Sequence, residues 1–382
     1  MFSEVWRRGR IGALITICAA GVLAAAGTST AAAASAGVSA ASAGVPWSQV
    51  GPGWTLAEYT GGPQTTKYAT TLYLISPAGA KYAVYTWRAS KTAPPRLDAW
   101  SGDKTRALFS GPGAAQTAQI DLVTGKLSRF YLAGHAFAVG YTYPDGLNIV
   151  GINRSAGVWT LARYSLTGTL TKVLLRSQFA YAGLYSSNGT ELAVPAADGV
   201  EQVSNAGGTP KQLPVPGANR RLGCQPERWW NTRTILVQCV AAEYNAPRLW
   251  LVPTSGAKPT ALTTQRAAAS HDLGDLNAWR LPSGLYLQSA GACGSLLINK
   301  QSASGSITPV TVPGTAANTT NAIVTAAGQD LLIVEHNYCV AGNSLLWFNP
   351  AAHTEKWLIR APAYASLLVV AYNSAENAPE VQ

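Results

Sequence analysis

The chain has 382 residues, 28 of them Lys or Arg and 18 Asp or Glu, for a formal net charge of +10. With 47% hydrophobic and only 12% charged residues it is excluded from the extended disordered class, which cannot bury enough apolar surface to fold. Thirty-seven Gly, 22 Pro, 12 Trp and 16 Tyr against a single Met point to many short strands and turns rather than long helices.

At the N-terminus, Arg7, Arg8 and Arg10 precede an uncharged run from Ile11 to about Ala26, and small residues follow at 34–36 and 40–43. A basic segment, an apolar segment and a small-residue cluster in that order form a secretory signal. The expectation is a signal peptide over residues 1–36 and an extracytoplasmic location, secreted or in the cell envelope. The alternative is an uncleaved anchor, for which the run is short. After the signal, no run approaches the roughly 20 apolar residues of a membrane span. Residues 37–53 read as an Ala/Ser/Gly linker and 374–382 as a polar tail. Removing 1–36 takes away three Arg and Glu4, lowering the net charge by two, and leaves Cys224, Cys239, Cys293 and Cys339. An even number of Cys in an exported chain predicts two disulfides.

From residue 54 onward, short turns between strand-like runs recur: Pro77-Ala78-Gly79, Val123-Thr124-Gly125, Leu166-Thr167-Gly168, Ala206-Gly207-Gly208, Thr254-Ser255-Gly256, Ala303-Ser304-Gly305 and Pro350-Ala351-Ala352. Their spacing of 40 to 49 residues, with only short strands between, is the signature of a β-propeller with one four-stranded blade per repeat. A second turn precedes each of the last six, at Gly102-Asp103, Asp145-Gly146, Asn188-Gly189, Asn231-Thr232, Ser283-Gly284 and Ala327-Gly328. Each blade therefore reads A, turn, B, loop, C, turn, D, and only the first lacks its A strand. The surplus run Leu367-Leu368-Val369-Val370-Ala371-Tyr372 is predicted to supply it beside Trp54-Thr55-Leu56-Ala57, closing the ring. The expected fold is all-β, a seven-bladed propeller over residues 54–373. Six blades, or a pair of β-sandwiches, are the alternatives.

Ala99-Trp100-Ser101-Gly102-Asp103 through Phe109, Asp121-Leu122-Val123-Thr124-Gly125-Lys126, Tyr143-Pro144-Asp145-Gly146 and Tyr185-Ser186-Ser187-Asn188-Gly189-Thr190 resemble the blades of TolB-like propellers. The chain also resembles the exported TolB-like proteins of actinobacteria. The resemblance implies the fold more than a role, because TolB has six blades and an added α/β domain for which this chain has no room.

In such a fold the A–B and C–D turns share one face, here the turn face, and the B–C and D–A loops share the other, the loop face. Cys224 and Cys239 lie symmetrically about the turn at 231–232, which predicts a bridge within blade 5. Cys293 and Cys339 fall in B–C regions of blades 6 and 7, and their bridge would tie those blades together. The alternative, a nucleophilic Cys339 near His336, lacks an identifiable oxyanion hole. Arg88, Lys91, Arg96, Arg154, Arg176, Arg220, Arg221, Arg228, Arg248, Arg266 and Arg360 sort to the loop face, while Lys81, Lys104, Lys126, Lys172, Lys211, Lys258 and Lys356 sort to the turns. Guanidinium forks bind carboxylate and phosphate bidentately. The expected binding residues are Arg220, Arg221, Arg228 and Arg248, with His271, Asp272, Asp275 and His336 near the channel mouth. The expected ligand is an envelope glycan, another anionic polymer or a protein. The competing reading is solvated or internally paired charge.

Nucleic acid is not expected as a partner of an exported chain whose basic residues are dispersed. No metal or cofactor motif is present, and a monomer is expected. The alternative function is a propeller hydrolase or lyase using His271, Asp272, Asp275, Glu335 or His336. Asp103, Asp121 and Asp145 are set aside because turns use Asp to satisfy their own backbone.

Overall fold

The computed structural model of the chain describes residues 44–62, 69–88, 95–111, 116–181, 183–186, 188–240, 246–266, 273–315, 319–337, 342–362 and 364–372. Their strands form seven four-stranded antiparallel sheets arranged as the blades of a ring. Blade 1 comprises Ser366–Ala371 as strand A, then Thr55–Thr60, Thr70–Ile75 and Lys81–Trp87. Blade 2 comprises Arg96–Trp100, Arg106–Ser110, Gln116–Asp121 and Leu127–Tyr131, and blade 3 Phe137–Tyr141, Ile149–Ser155, Val158–Tyr164 and Leu170–Ser177. Blade 4 comprises Leu184–Tyr185, Glu191–Pro195, Gly199–Ser204 and Lys211–Pro214, and blade 5 Cys224–Asn231, Thr234–Cys239, Arg248–Pro253 and Thr260–Ala261. Blade 6 comprises Gly274–Leu281, Gly284–Ala290, Leu296–Gln301 and Ile307–Pro309, and blade 7 Thr319–Ala327, Asp330–Asn337, Gly342–Asn349 and Thr354–Ile359. All seven C–D turns and six A–B turns fall where the repeats place them. The blade number is seven, not the alternative six.

A sheet packed between two neighbours buries both faces, so its central strands lose the usual polar alternation and read as continuous apolar runs. Ala107, Leu108 and Phe109 in blade 2, Ile235, Leu236 and Val237 in blade 5, and Leu331, Leu332 and Ile333 in blade 7 are all fully buried B-strand residues. The outer D strands face solvent, as in Lys211–Pro214, where only Leu213 is buried. The apolar clusters follow the seams between blades. One joins blades 1 and 2 around Leu72, Trp87 and Phe109, and another joins blades 7 and 1 around Ala57, Trp347 and Leu367. Val45 and Val50, within the segment read as linker, are buried in the first of these. Each fully buried Leu or Phe side chain contributes about 1.5–3 kcal/mol of transfer free energy, so stability is distributed around the ring.

The turns close on their own side chains. Asp103 Oδ1 accepts from Ser101 Oγ at 2.5 Å and Thr105 N at 3.1 Å, and Asp121 Oδ1 accepts from the Val123 and Thr124 amides at 3.0 and 2.8 Å. Asp145 Oδ1 does the same with Thr142 Oγ1 and Leu147 N. At Gly189, with φ +71°, a Cβ would stand 1.8 Å from Tyr143 O, so the blade 4 turn can pack on the blade 3 turn only without a side chain.

Ser366–Ala371 pairs antiparallel with Thr55–Thr60 from Thr55 opposite Ala371 to Thr60 opposite Ser366. Tyr372 fixes its end: its amide donates to Trp54 O at 2.8 Å, its hydroxyl to Gly102 O at 3.1 Å, and its ring meets Trp100 edge-on at 5.3 Å. The C-terminal strand thus spans from blade 1 onto the A–B turn of blade 2. A chain ending at Ala365 is expected to lose cooperative melting and aggregate through the open edge of Thr55–Thr60. A circular-dichroism melt superimposable on that of the full chain would show that closure is dispensable.

In blade 5, Cys224 and Cys239 are directly opposed and disulfide-bonded, with Cα atoms 4.5 Å apart. Closing a loop with a sequence separation of 15 restricts the unfolded chain, a contribution of about 3 kcal/mol in the chain-entropy picture. Replacing both with Ala should lower the urea midpoint, and dithiothreitol should lower it by more in the parent protein than in the variant. The Cys293–Cys339 pairing lies outside the described residues, which include no side chain for Cys293 and no part of Cys339.

Candidate functional site

On the loop face, arginines are held by stacking more than by carboxylates. Of the ten tryptophans at Trp54, Trp87, Trp100, Trp159, Trp229, Trp230, Trp250, Trp279, Trp347 and Trp357, six are buried in the seams. The other four are half-buried, and each carries a guanidinium over its ring: Arg154 on Trp159 at 5.4 Å, Arg248 on Trp250 at 4.3 Å, Arg360 on Trp357 at 4.5 Å and Arg280 on Trp230 at 5.5 Å. The first three belong to the loop face. A stacked guanidinium is fixed in plane without giving up its N–H donors. Arg248 gives one, from Nε to Thr263 O at 2.7 Å.

The remaining expected site residues divide. Arg220 pairs with Asp198 at 2.7 Å, both exposed, so that pair is screened by water and adds little stability. Arg221 is exposed beside it. Arg228 does not reach the loop face: it is 3% exposed, inside the A strand of blade 5, and donates from Nη1 to Ala278 O of blade 6 at 2.9 Å. Asp275 is fully buried and accepts both arms of Arg266, at 2.8 and 2.9 Å, and Ser289 Oγ at 2.9 Å. Asn299 Nδ2 donates to Ser289 Oγ in turn. The Asp275 carboxylate is thus engaged by two side chains and ties the A strand of blade 6 to its B strand. His336 Nδ1 bonds the buried Asn343 Oδ1. His271 and Asp272 lie outside the described residues. Among the described residues no group of three or more His, Cys, Asp or Glu could hold a metal ion.

Structure also qualifies the sorting of basic residues. Arg106, Arg163, Arg233 and Arg280 stand at turn-face ends of strands, so guanidinium is not confined to the loop face. Several turn-face lysines are clasps between blades: Lys356 Nζ donates to Ala78 O at 2.6 Å from blade 7 to blade 1, and Lys211 Nζ to Thr254 O at 2.7 Å from blade 4 to blade 5. Lys356 also borders a cleft of about 270 Å³ with Pro77, Asp330 and Asn349.

The inner strands share a feature that only the pairing exposes. In five blades the A strand slips by one residue against B, leaving Asp98, Val139, Glu227, Leu276 and Val324 as bulges. The residue before a bulge needs a partner for its amide. Leu97 N donates to Glu58 Oε2 at 2.7 Å and Ile323 N to Gln288 Oε1 at 2.6 Å, each acceptor coming from the preceding blade. Asp275 N donates to Pro247 O, and Pro226 has no N–H at all. Sequence reasoning missed Glu58. It is one of several polar residues in B strands, with Gln238, Gln288 and Glu335, and nothing local in the sequence set it apart.

Burial pushes the Glu58 carboxyl up to about 8, with Asp98 adding repulsion against the opposing effects of the Leu97 amide and Arg96. A pKa raised on folding gives stability that is complete below the ordinary value near 4.5 and lost as pH rises through about 8. Glu58→Gln keeps the acceptor without the charge. Its urea-unfolding free energy should fall less between pH 5 and pH 8.5 than that of the parent, by about 1 kcal/mol or more. Parallel curves would mean that Glu58 titrates normally.

No protein-family model matches the chain, and no curated protein matches it in sequence. Solved structures do match its fold. The β-propeller domain of the Trilobed protease from Pyrococcus furiosus aligns with TM-score 0.52 at 12% identity, over 81% of this chain and 96% of that one. That domain is described as having an open velcro topology, whereas here the C-terminal strand pairs into blade 1. A prolyl endopeptidase aligns with TM-score 0.55 at 14% identity, over 84% of this chain and 51% of that one, so the likeness spans about half of the enzyme. At these identities the similarity concerns the fold alone.

Proposed function

We propose that the chain is an exported propeller of the TolB-like type that acts as a non-catalytic binding or scaffolding module. Its loop face takes an anionic envelope group: an acidic glycan, a phosphate-bearing polymer or an acidic protein patch. The observation that carries this reading is the stacking of Arg154, Arg248 and Arg360 on tryptophans, which orients guanidinium groups on one face without tying them to carboxylates. Arg221 adds an exposed cation to the same face. The engagement of Asp275 by Arg266 and Ser289 supports this reading over a hydrolase or lyase. Export is supported by the N-terminal signal pattern and by the Cys224–Cys239 bridge, which persists in oxidising compartments.

The test is retention of the purified chain on anionic cell-wall polymer, eluted by a salt gradient. Replacing Arg220, Arg221 and Arg248 together with Ala should move elution to markedly lower salt while leaving the circular-dichroism spectrum intact, because the contacts are exposed and screened by salt. Replacing the turn-face Lys126 and Lys258 should leave elution in place. Unchanged elution of the variant, and of one that also lacks Arg154 and Arg360, would remove the loop face from the mechanism.

A further inference from the structure

The seam between blades 5 and 6 is packed unlike its neighbours. Its apolar cluster has only Leu236, Leu249, Ala278 and Leu287 as buried members, where the blade 1–2 seam buries several Trp, Phe and Leu side chains. Next to this small cluster the innermost strand of blade 5 buries a charge. Arg228 spends one donor on Ala278 O, and its guanidinium carbon lies 5.0 Å from the Trp279 ring. The Nε and Nη2 donors are buried and have no acceptor, and the indole N–H of Trp279 is in the same condition. Glu227, its neighbour in sequence and the bulged residue of the strand, forms no ion pair with it among the described contacts.

The pattern of used and unused donors is specific. Nε and Nη2 lie along one edge of the guanidinium plane, with their N–H bonds parallel, and that edge matches the two oxygens of a carboxylate. Nη1 sits on the opposite corner and is pinned to a backbone carbonyl, so the open edge is held in place. Buried donors are almost always satisfied, and Arg228 has two on one edge that no protein acceptor meets. We propose that the Nε–Nη2 edge of Arg228 is an interior binding site for a small monocarboxylate, separate from the loop face and lying on the inner strand of blade 5. A monoanion rather than phosphate is the matching charge, because Arg228 is a single cation and no second one pairs with it. Burial lowers the Arg228 pKa to about 9 and raises that of Glu227 to about 8. Burial dominates both shifts, and the Arg228–Glu227 attraction opposes it in each.

The probe is acetate, titrated into the full chain at constant ionic strength against chloride and against inorganic phosphate. Melting temperature should rise with acetate concentration beyond the chloride control, and saturation-transfer NMR should show contact with the acetate methyl group. The effect should vanish in Arg228→Met and weaken by about tenfold in Arg228→Lys, which keeps the charge but loses the fork. Arg221→Ala should retain it, which separates this site from the loop face. Should Arg228→Met fail to fold, the Lys variant and the NMR contact decide. A melting shift no larger than with chloride and without NMR contact would mean that the edge holds water only, and an equal acetate response in the Lys variant would place the site elsewhere. A larger response to phosphate than to acetate would overturn the charge argument.

Discussion

The whole architecture depends on one strand pairing. A ring of blades has no edges only if its first and last segments meet, and they meet where Ser366–Ala371 hydrogen-bonds to Thr55–Thr60. Every other seam joins blades adjacent in sequence. This one spans the length of the chain, and Tyr372 extends it by linking Trp54, Trp100 and Gly102. With closure, the apolar faces of blades 7, 1 and 2 are all covered. Without it, a strand edge and two sheet faces would be open to solvent.

Because stability is distributed over seams, each seam must also satisfy the polar groups that the inner strands leave exposed. The bulges that recur along the A strands each create the same problem, an amide without a ladder partner, and the blades answer it differently: a carboxyl at Glu58, an amide at Gln288, a backbone carbonyl at Pro247 and a proline at position 226. These solutions place titratable or charged groups deep in the ring. Glu58 is one consequence, and the incompletely bonded Arg228 is another. The same principle in reverse explains Asp275, where Arg266, Ser289 and Asn299 complete a closed network.

Basic residues fall into several physical situations that composition treats as one. Some are clasps, like Lys356 and Lys211, which reach the next blade's turn. Some are lids on half-buried tryptophans, like Arg248. Arg228 is neither, because it is enclosed by protein. The positive charge of the chain is therefore in part a structural resource, and the portion open to a ligand is smaller than the count of arginines implies.

The sequence by itself determined the repeat, the turn positions, the closing strand and the Cys224–Cys239 bridge, while the structure settled seven blades over six. These depend on local chemistry: Asp, Asn and Gly at turns, apolar runs between them, and a symmetric offset of two cysteines about a hairpin. Tertiary structure alone decided what the polar residues do. Loop assignment placed Arg228 with Arg220 and Arg221, but a residue in mid-strand is carried to the seam by register. Asp275 stood among candidate acids, yet its role is set by Arg266 nine residues earlier and Ser289 on the adjacent strand. Glu58 drew no notice because its significance is its contact with Leu97 in the next blade. Turns and strands are specified by neighbours in the chain, whereas the partners of a buried charge are specified by neighbours in space.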